Sequence, residues 1–147
     1  WLNGFEHELA PRLPTSMLEL VAQHRDAGDL CAMVTATTRF IAEPFARRFG
    51  IEHLLATEPQ RVAGRVTGEI DGLPCFREHK VGHVQAWLAR RDPPRTAIEA
   101  FEQSWFYSDS ASDLPLLGAV THPVAVRPDA RLRAHAESLG WPVIELA

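Results

Sequence analysis

A chain of 147 residues with 46% apolar and 23% charged side chains can bury a real core as one domain, since a chain of this length removes ~70% of its unfolded surface from water. Its formal net charge of −4 lacks the basic excess of a nucleic-acid binder, and no stretch approaches the ~20 apolar residues that span a bilayer, so neither nucleic acid nor membrane is an expected partner. Cys31 and Cys75 stand far apart, without the paired spacing of a zinc site or a disulfide framework, which makes a reducing cytoplasm the expected compartment.

The opening stretch "WLNGFEHELAPRLP" has no basic start followed by an apolar run and is not a signal peptide. A chain that begins on Trp1 is expected to be a fragment, a processed form or the ordered part of something longer. Pro11 and Pro14 set residues 1–14 apart from the first good helix. There, Ser16 and Glu19 have capping-box spacing, and Met17, Leu20, Val21 and His24 follow at helical intervals, so the pattern predicts a helix over 16–27 closed by Gly28.

"LCAMV" reads as a short buried strand. "RFIAEPFARRFG" reads as a helix in which Pro44 is tolerable only near the first turn and which Gly50 ends. After the strand candidate "IEHLLA", the runs "RVTGEI" and "LPCF" flank Asp71-Gly72, a strong hairpin signal. Gly64, Gly68 and Gly72 are expected to serve turns or bulges. A helix over 80–90 carries Val81, Val84, Trp87 and Leu88 on one side, and "RDPPR" breaks the pattern before the strand "SWFY". A short helix over 114–118, the strand "PVAV", a helix over 129–138 and the strand "VIEL" complete the chain. Phe40, Phe45, Phe49, Trp87 and Trp105 are expected to pack, and His79 and His83 to lie at the surface.

Helices alternating with short apolar strands predict a parallel sheet covered on both faces, with ligands beyond the carboxyl ends of its strands. Three polar clusters fall at such places: "TATT" (Thr35 to Thr38), Lys80 at a helix start, and "SDSASD" after "SWFY". Hydroxyls and free N–H groups at a strand-to-helix turn suit phosphate oxygens. A lysine offsets their charge, and two carboxylates hold a hard cation such as Mg²⁺. In isolation each cluster has a plainer role: Asp113 could cap the helix "LPLL", Thr37 or Thr38 the helix after it, and Lys80 could be solvated surface.

"YSDSASDLPLL" resembles the fourth motif of the haloacid dehalogenase (HAD) superfamily, and "VTATT", Lys80 and "GRVTGEIDGLPCFREHK" resemble its phosphoserine-phosphatase-like subfamily IB. The resemblance runs from about Thr15 to Leu146. It implies a Rossmann-like three-layer α/β/α core with a mainly parallel sheet and a small hairpin excursion, and a Mg²⁺-dependent phosphatase of small phosphorylated metabolites such as phosphoserine or histidinol phosphate. Carried onto this sequence, it implies that Thr35 binds the phosphoryl group with the backbone N–H of Ala36, with Thr37 beside them. Lys80 would steady the phosphate and the nucleophile. Asp109 would ligate Mg²⁺ directly, and Asp113 would hold metal-bound water or orient Lys80. Ser110 and Ser112 stand where such phosphatases often have Gly and Asn.

Family enzymes attack phosphorus with an aspartate, forming an aspartyl-phosphate, and use a second aspartate two positions later as acid and base. No two aspartates here have that Asp-x-Asp spacing. The resemblance therefore implies that residues 1–14 are the tail of a helical cap and 15–147 a core domain lacking its first strand, so that these residues alone are not catalytic. Two other readings stay open: a non-catalytic phosphate-binding or interaction module, and a phospho-acceptor receiver domain, which lacks the two late acids and has no need of the hairpin.

Overall fold

The computed structural model describes residues 13–94 and 97–146; most of the expected cap tail, residues 1–12, lies outside the described residues. The chain divides into two compact units with the boundary between Cys75 and Phe76.

In the first unit, α1 (Thr15–Asp26) leads to β1 (Ala32–Thr38), α2 (Arg39–Phe49) and β2 (His53–Thr57). β1 and β2 pair in parallel, Met33 opposite Leu54 and Val34 opposite Leu55. The crossover helix α2 buries Ala42, Ala46 and Phe49, spaced by four and three residues on one face, and Ala42 and Ala46 cluster with Leu54 and Ala56. Small residues on both sides let the helix lie close on the strands.

Two helix-start expectations need correction. The capping box at Ser16 and Glu19 does not form: α1 begins one residue earlier, with Pro14 at the N-cap, and the Ser16 hydroxyl is buried without a hydrogen-bond partner among the described residues. Pro44 lies beyond the first turn, inside a helix that starts at Arg39, and is itself buried. Gly50 does end α2. Its φ of 65° lets Gly50 N–H reach Arg47 O and Ile51 N–H reach Ala46 O, each at 2.9 Å.

The hairpin is present one turn earlier than expected. β3 (Pro59–Val62) pairs antiparallel with β4 (Arg65–Ile70) around Ala63-Gly64, whose φ values of 49° and 76° fit a type I′ connection. "LPCF" forms no strand; Pro74 has no N–H to give a ladder. β4 is bulged between its pairs with Arg61 and Pro59, and Gly68, at φ 93°, supplies the bulge. Beyond the turn at Gly72 the chain returns to the core, where Cys75 is fully buried and donates its N–H to Thr57 Oγ1 at 3.0 Å.

The second unit contains α3 (His79–Ala89), a 3₁₀ turn (Ile98–Ala100), β5 (Trp105–Ser108), a second 3₁₀ turn (Ala111–Asp113), α4 (Leu114–Leu117), β6 (His122–Val126), α5 (Ala130–Leu139) and β7 (Val143–Ile144). The strands lie in the order β5-β6-β7, all parallel, with Ser108 opposite Ala125 and Val126 opposite Ile144. Leu117, Ala125, Leu132 and Ala136 form the buried centre, with Phe106, Leu114 and Val143 against it. Each fully buried leucine contributes ~1.5–3 kcal/mol by leaving water.

The architecture is thus mixed α/β, with mainly parallel pairing and one small antiparallel hairpin. Of the five aromatics expected to pack, Phe40 is exposed instead, and His79 and His83 are half-buried rather than at the surface. Among the described residues no helix is long and apolar enough to cross a membrane.

Candidate functional site

β5 brings Tyr107 and then Ser108 to the carboxyl edge of its sheet, where the chain leaves the ladder through Asp109 and Ser110 into the Ala111–Asp113 turn. That turn carries Asp113 back beneath the strand end. Ser108 Oγ donates to Asp113 Oδ2 at 2.6 Å, and Ser110 N–H donates to Ser108 Oγ at 3.2 Å. Lys80, the second residue of α3, places Nζ 2.7 Å from Asp113 Oδ1. The contact is an ion pair rather than a well-directed hydrogen bond.

Both side chains of this pair are only 8% exposed. Neither charge would be tolerated at such burial without the other, because desolvating an unpaired ion costs several kcal/mol. The pair therefore fixes α3 against the loop after β5. Asp113 occupies the N-cap position of α4, yet its carboxylate makes no capping hydrogen bond, being turned to Lys80 and Ser108. Asp109, by contrast, is exposed. Ser110 Oγ accepts from Ser112 N–H at 3.2 Å and lies 2.8 Å from Ser112 Oγ, a local cap of the 3₁₀ turn.

A further residue joins the loop, and the sequence marked it only as the start of a helix. Asp129 Oδ2 accepts from Ala111 N–H and Oδ1 from Leu132 N–H, both at 2.8 Å, while Asp129 N–H donates to Asp109 O at 2.8 Å. The N–H groups of Leu132 and then Ala111 hold its carboxyl below the usual aspartate range. An Asp just ahead of a helix signals an N-cap. Nothing in its spacing signals that the second oxygen reaches a loop 18 residues earlier.

In the first unit, "TATT" belongs to β1 rather than following it. Val34 pairs with Leu55 and Thr38 with Thr57, so Thr35, Ala36 and Thr37 bulge out of register. Bulges re-aim side chains next to sites. Thr35 Oγ1 accepts from Thr37 N–H at 3.2 Å, which leaves its own proton free to donate; Ala36 and Thr37 are exposed. Thr38 is the N-cap residue of α2 but makes no side-chain cap bond, so neither threonine caps as expected. Just beyond, Arg39 pairs with Glu58 at 2.6 Å and donates to Leu54 O at 2.9 Å, tying the start of α2 to β2 and the residue after it.

Lys80, Asp113 and the Asp109 loop thus come together in the second unit, and Thr35, Ala36 and Thr37 share a bulge in the first. Among the described residues no group of three or more His, Cys, Asp or Glu could hold a metal ion. An exposed carboxylate, one residue along the chain from a serine that is tied to a buried lysine–aspartate pair, is of the donor type that suits a hard cation.

A model of the haloacid dehalogenase-like hydrolase family matches residues 3–118. The chain belongs to that family. Among relatives of this haloacid dehalogenase-like chain, a histidinol-phosphatase of Neisseria meningitidis serogroup C (strain 8013) is 37% identical over 137 residues, which are 92% of this chain and 60% of the relative. The crystal structure of a protein of unknown function from Bordetella pertussis Tohama I superposes with a TM-score of 0.89 at 46% identity, over 99% of this chain and 66% of that one. A probable phosphoserine phosphatase from Vibrio cholerae, at 16% identity and a TM-score of 0.66 over 96% of this chain and 41% of that one, shares the Rossmann-like α/β fold of such hydrolases. The chain spans less than two thirds of each of these proteins.

Proposed function

We propose that this chain is the core portion, residues 15–147, of a cytoplasmic Mg²⁺-dependent phosphomonoester hydrolase of the subfamily IB type, with residues 1–14 as the tail of a helical cap. The observation that carries the reading is the buried Lys80–Asp113–Ser108 network, which ends at the residue before the exposed Asp109 at a strand's carboxyl end. A family hydrolase needs a fixed cation and a free carboxylate for the phosphoryl group and its metal, and on this reading Lys80 is the first and Asp109 the second.

On this reading Asp109 is the carboxylate that ligates Mg²⁺. Mg²⁺ keeps several waters and takes one or two protein carboxylates plus phosphate oxygens, so a single ligand from the described residues suits it. When bound, the ion would neutralise charge on the phosphoryl oxygens. Asp113, with both oxygens engaged, orients Lys80 and reaches the metal at most through water. Lys80 steadies the phosphate and the nucleophile. Thr35 Oγ1, the N–H of Ala36 and the Thr37 hydroxyl bind the transferred phosphoryl group. The nucleophilic aspartate, which forms the aspartyl-phosphate, comes from a part of the parent protein outside these 147 residues. As substrate we place histidinol phosphate first, on the 37% identity to the Neisseria histidinol-phosphatase, and phosphoserine second.

The test is Asp109→Asn in the full-length protein, assayed on p-nitrophenyl phosphate, histidinol phosphate and phosphoserine with and without Mg²⁺. Metal-dependent turnover should disappear while the circular-dichroism spectrum is kept; wild-type turnover in the variant would sink the metal assignment. The absence of an Asp-x-Asp pair favours one second reading, a phosphate-binding module without catalysis. A wild-type full-length protein that binds inorganic phosphate but turns over none of the three esters would establish it.

A further inference from the structure

Helix N-caps need one acceptor oxygen, and Ser, Thr or Asn supplies it as well as Asp. Asp129 caps α5 through Oδ1, to Leu132 N–H at 2.8 Å, and its carbonyl accepts Arg133 N–H at 2.9 Å in the first turn. Two further hydrogen bonds lead away from the helix. Oδ2 takes the N–H of Ala111 and its own N–H goes to Asp109 O, so Asp129 grips the backbone on both sides of Ser110. Ser110 N–H is held in turn by Ser108 Oγ. The peptide group that follows Asp109 is therefore fixed from two directions, by the end of β5 at its N–H and by the start of α5 at its carbonyl, although the Asp109 side chain itself stands in solvent.

Only a group with two acceptor oxygens can serve the cap and the loop together. Asn would keep an oxygen for Leu132 N–H but would set an NH₂ donor against the Ala111 N–H; Ser would keep the cap and leave Ala111 N–H without it. Asp129 is exposed, so its identity is not explained by core packing.

We propose that Asp129 is a positioning residue that preorganises Asp109 for a divalent cation. The inference rests on Asp109 being a metal ligand, as argued under the proposed function. Groups behind a ligand commonly tune metal affinity by ~10–100-fold, and Asp129, which acts through the backbone, should fall at the lower end.

The experiment is a Mn²⁺ titration of the full-length protein, following the electron paramagnetic resonance signal of free Mn²⁺. Five proteins are compared: wild type, Asp109→Asn, Asp129→Asn, Asp129→Ser, and Ala136→Gly, which loosens the same helix at a buried position away from the loop. Both Asp129 variants should raise the Mn²⁺ dissociation constant about tenfold, while Ala136→Gly lowers the thermal midpoint without moving it. Two variants with the cap retained guard against loss of one to misfolding. Unchanged affinity in the Asp129 variants, with Asp109→Asn no longer binding, overturns the positioning role and leaves the ligand assignment standing. Asp109→Asn binding as tightly as wild type overturns the ligand assignment and this inference with it.

Discussion

Lys80 and Asp113 are the two side chains whose roles depend most on each other. Because both are nearly buried, removing one strands the other as an uncompensated ion. Lys80→Met should therefore destabilise the protein by ~3–5 kcal/mol in urea denaturation, and adding Asp113→Asn to it should restore a large part of that loss. Equal midpoints for the single and double variants would contradict the pairing. Activity should separate from stability here. In the full-length protein the double variant should stay slower than wild type by several orders of magnitude, since no cation then faces the transferring phosphoryl group; turnover within a factor of a few of wild type would remove Lys80 from the site. Lys80, Asp113 and Asp109 stand out in the sequence because their polar clusters fall after a strand or at a helix start, whereas Thr35 stands out only as part of a hydroxyl run that the structure places inside β1. Asp129 does not, because its cap is legible and its second oxygen has a partner that only tertiary structure supplies.

At the scale of elements, strands and helices followed from periodicity, and the misses have local causes. Asp71-Gly72 carries the stronger hairpin signal, because Asp-Gly is a favoured pair for two positive φ values, whereas the chain uses Ala63-Gly64, where the first position is poorly suited to it. Pairing decided the outcome: "PQRV" can ladder with "RVTGEI", and "LPCF" cannot. Ala63→Asn should accordingly stabilise the protein by ~0.5–1 kcal/mol, since asparagine tolerates the left-handed region better than alanine; a lower thermal midpoint would count against a type I′ turn. The bulge at Thr35 to Thr37 left no mark in the pattern, for surplus residues in a strand read like a loop after it. The start of α5 gives a pH-dependent test. The folded-state pKa of Asp129 lies below its unfolded value, so the stability it contributes is complete above the ordinary aspartate range and is lost as pH falls through the lowered value. The acid limb of the stability curve below about pH 4 should be shallower in Asp129→Asn than in wild type, as measured by urea midpoints; parallel limbs would show that the carboxylate is not held by those N–H groups.

For the whole molecule, the two units hold different parts of the proposed chemistry: the hydroxyls and N–H groups for a phosphoryl group in one, the lysine and carboxylates in the other. Neither contains an Asp-x-Asp pair. The 147 residues alone should leave p-nitrophenyl phosphate untouched at any Mg²⁺ concentration, while the full-length parent hydrolyses it; turnover by the shorter protein would place the nucleophile within it and reopen the roles proposed for Asp109 and Asp113. The stretch proposed to bind the phosphoryl group also has a property of its own. From Val34 to Thr38 the chain takes four steps along β1 while its partner takes two, from Leu55 to Thr57, so the excess is an even number. Parity is what a strand preserves. An odd excess would have turned Thr38 to the other face of the strand. The even excess thus lets Thr38, the last residue of β1, rejoin the ladder opposite Thr57 on the face it would hold without the bulge.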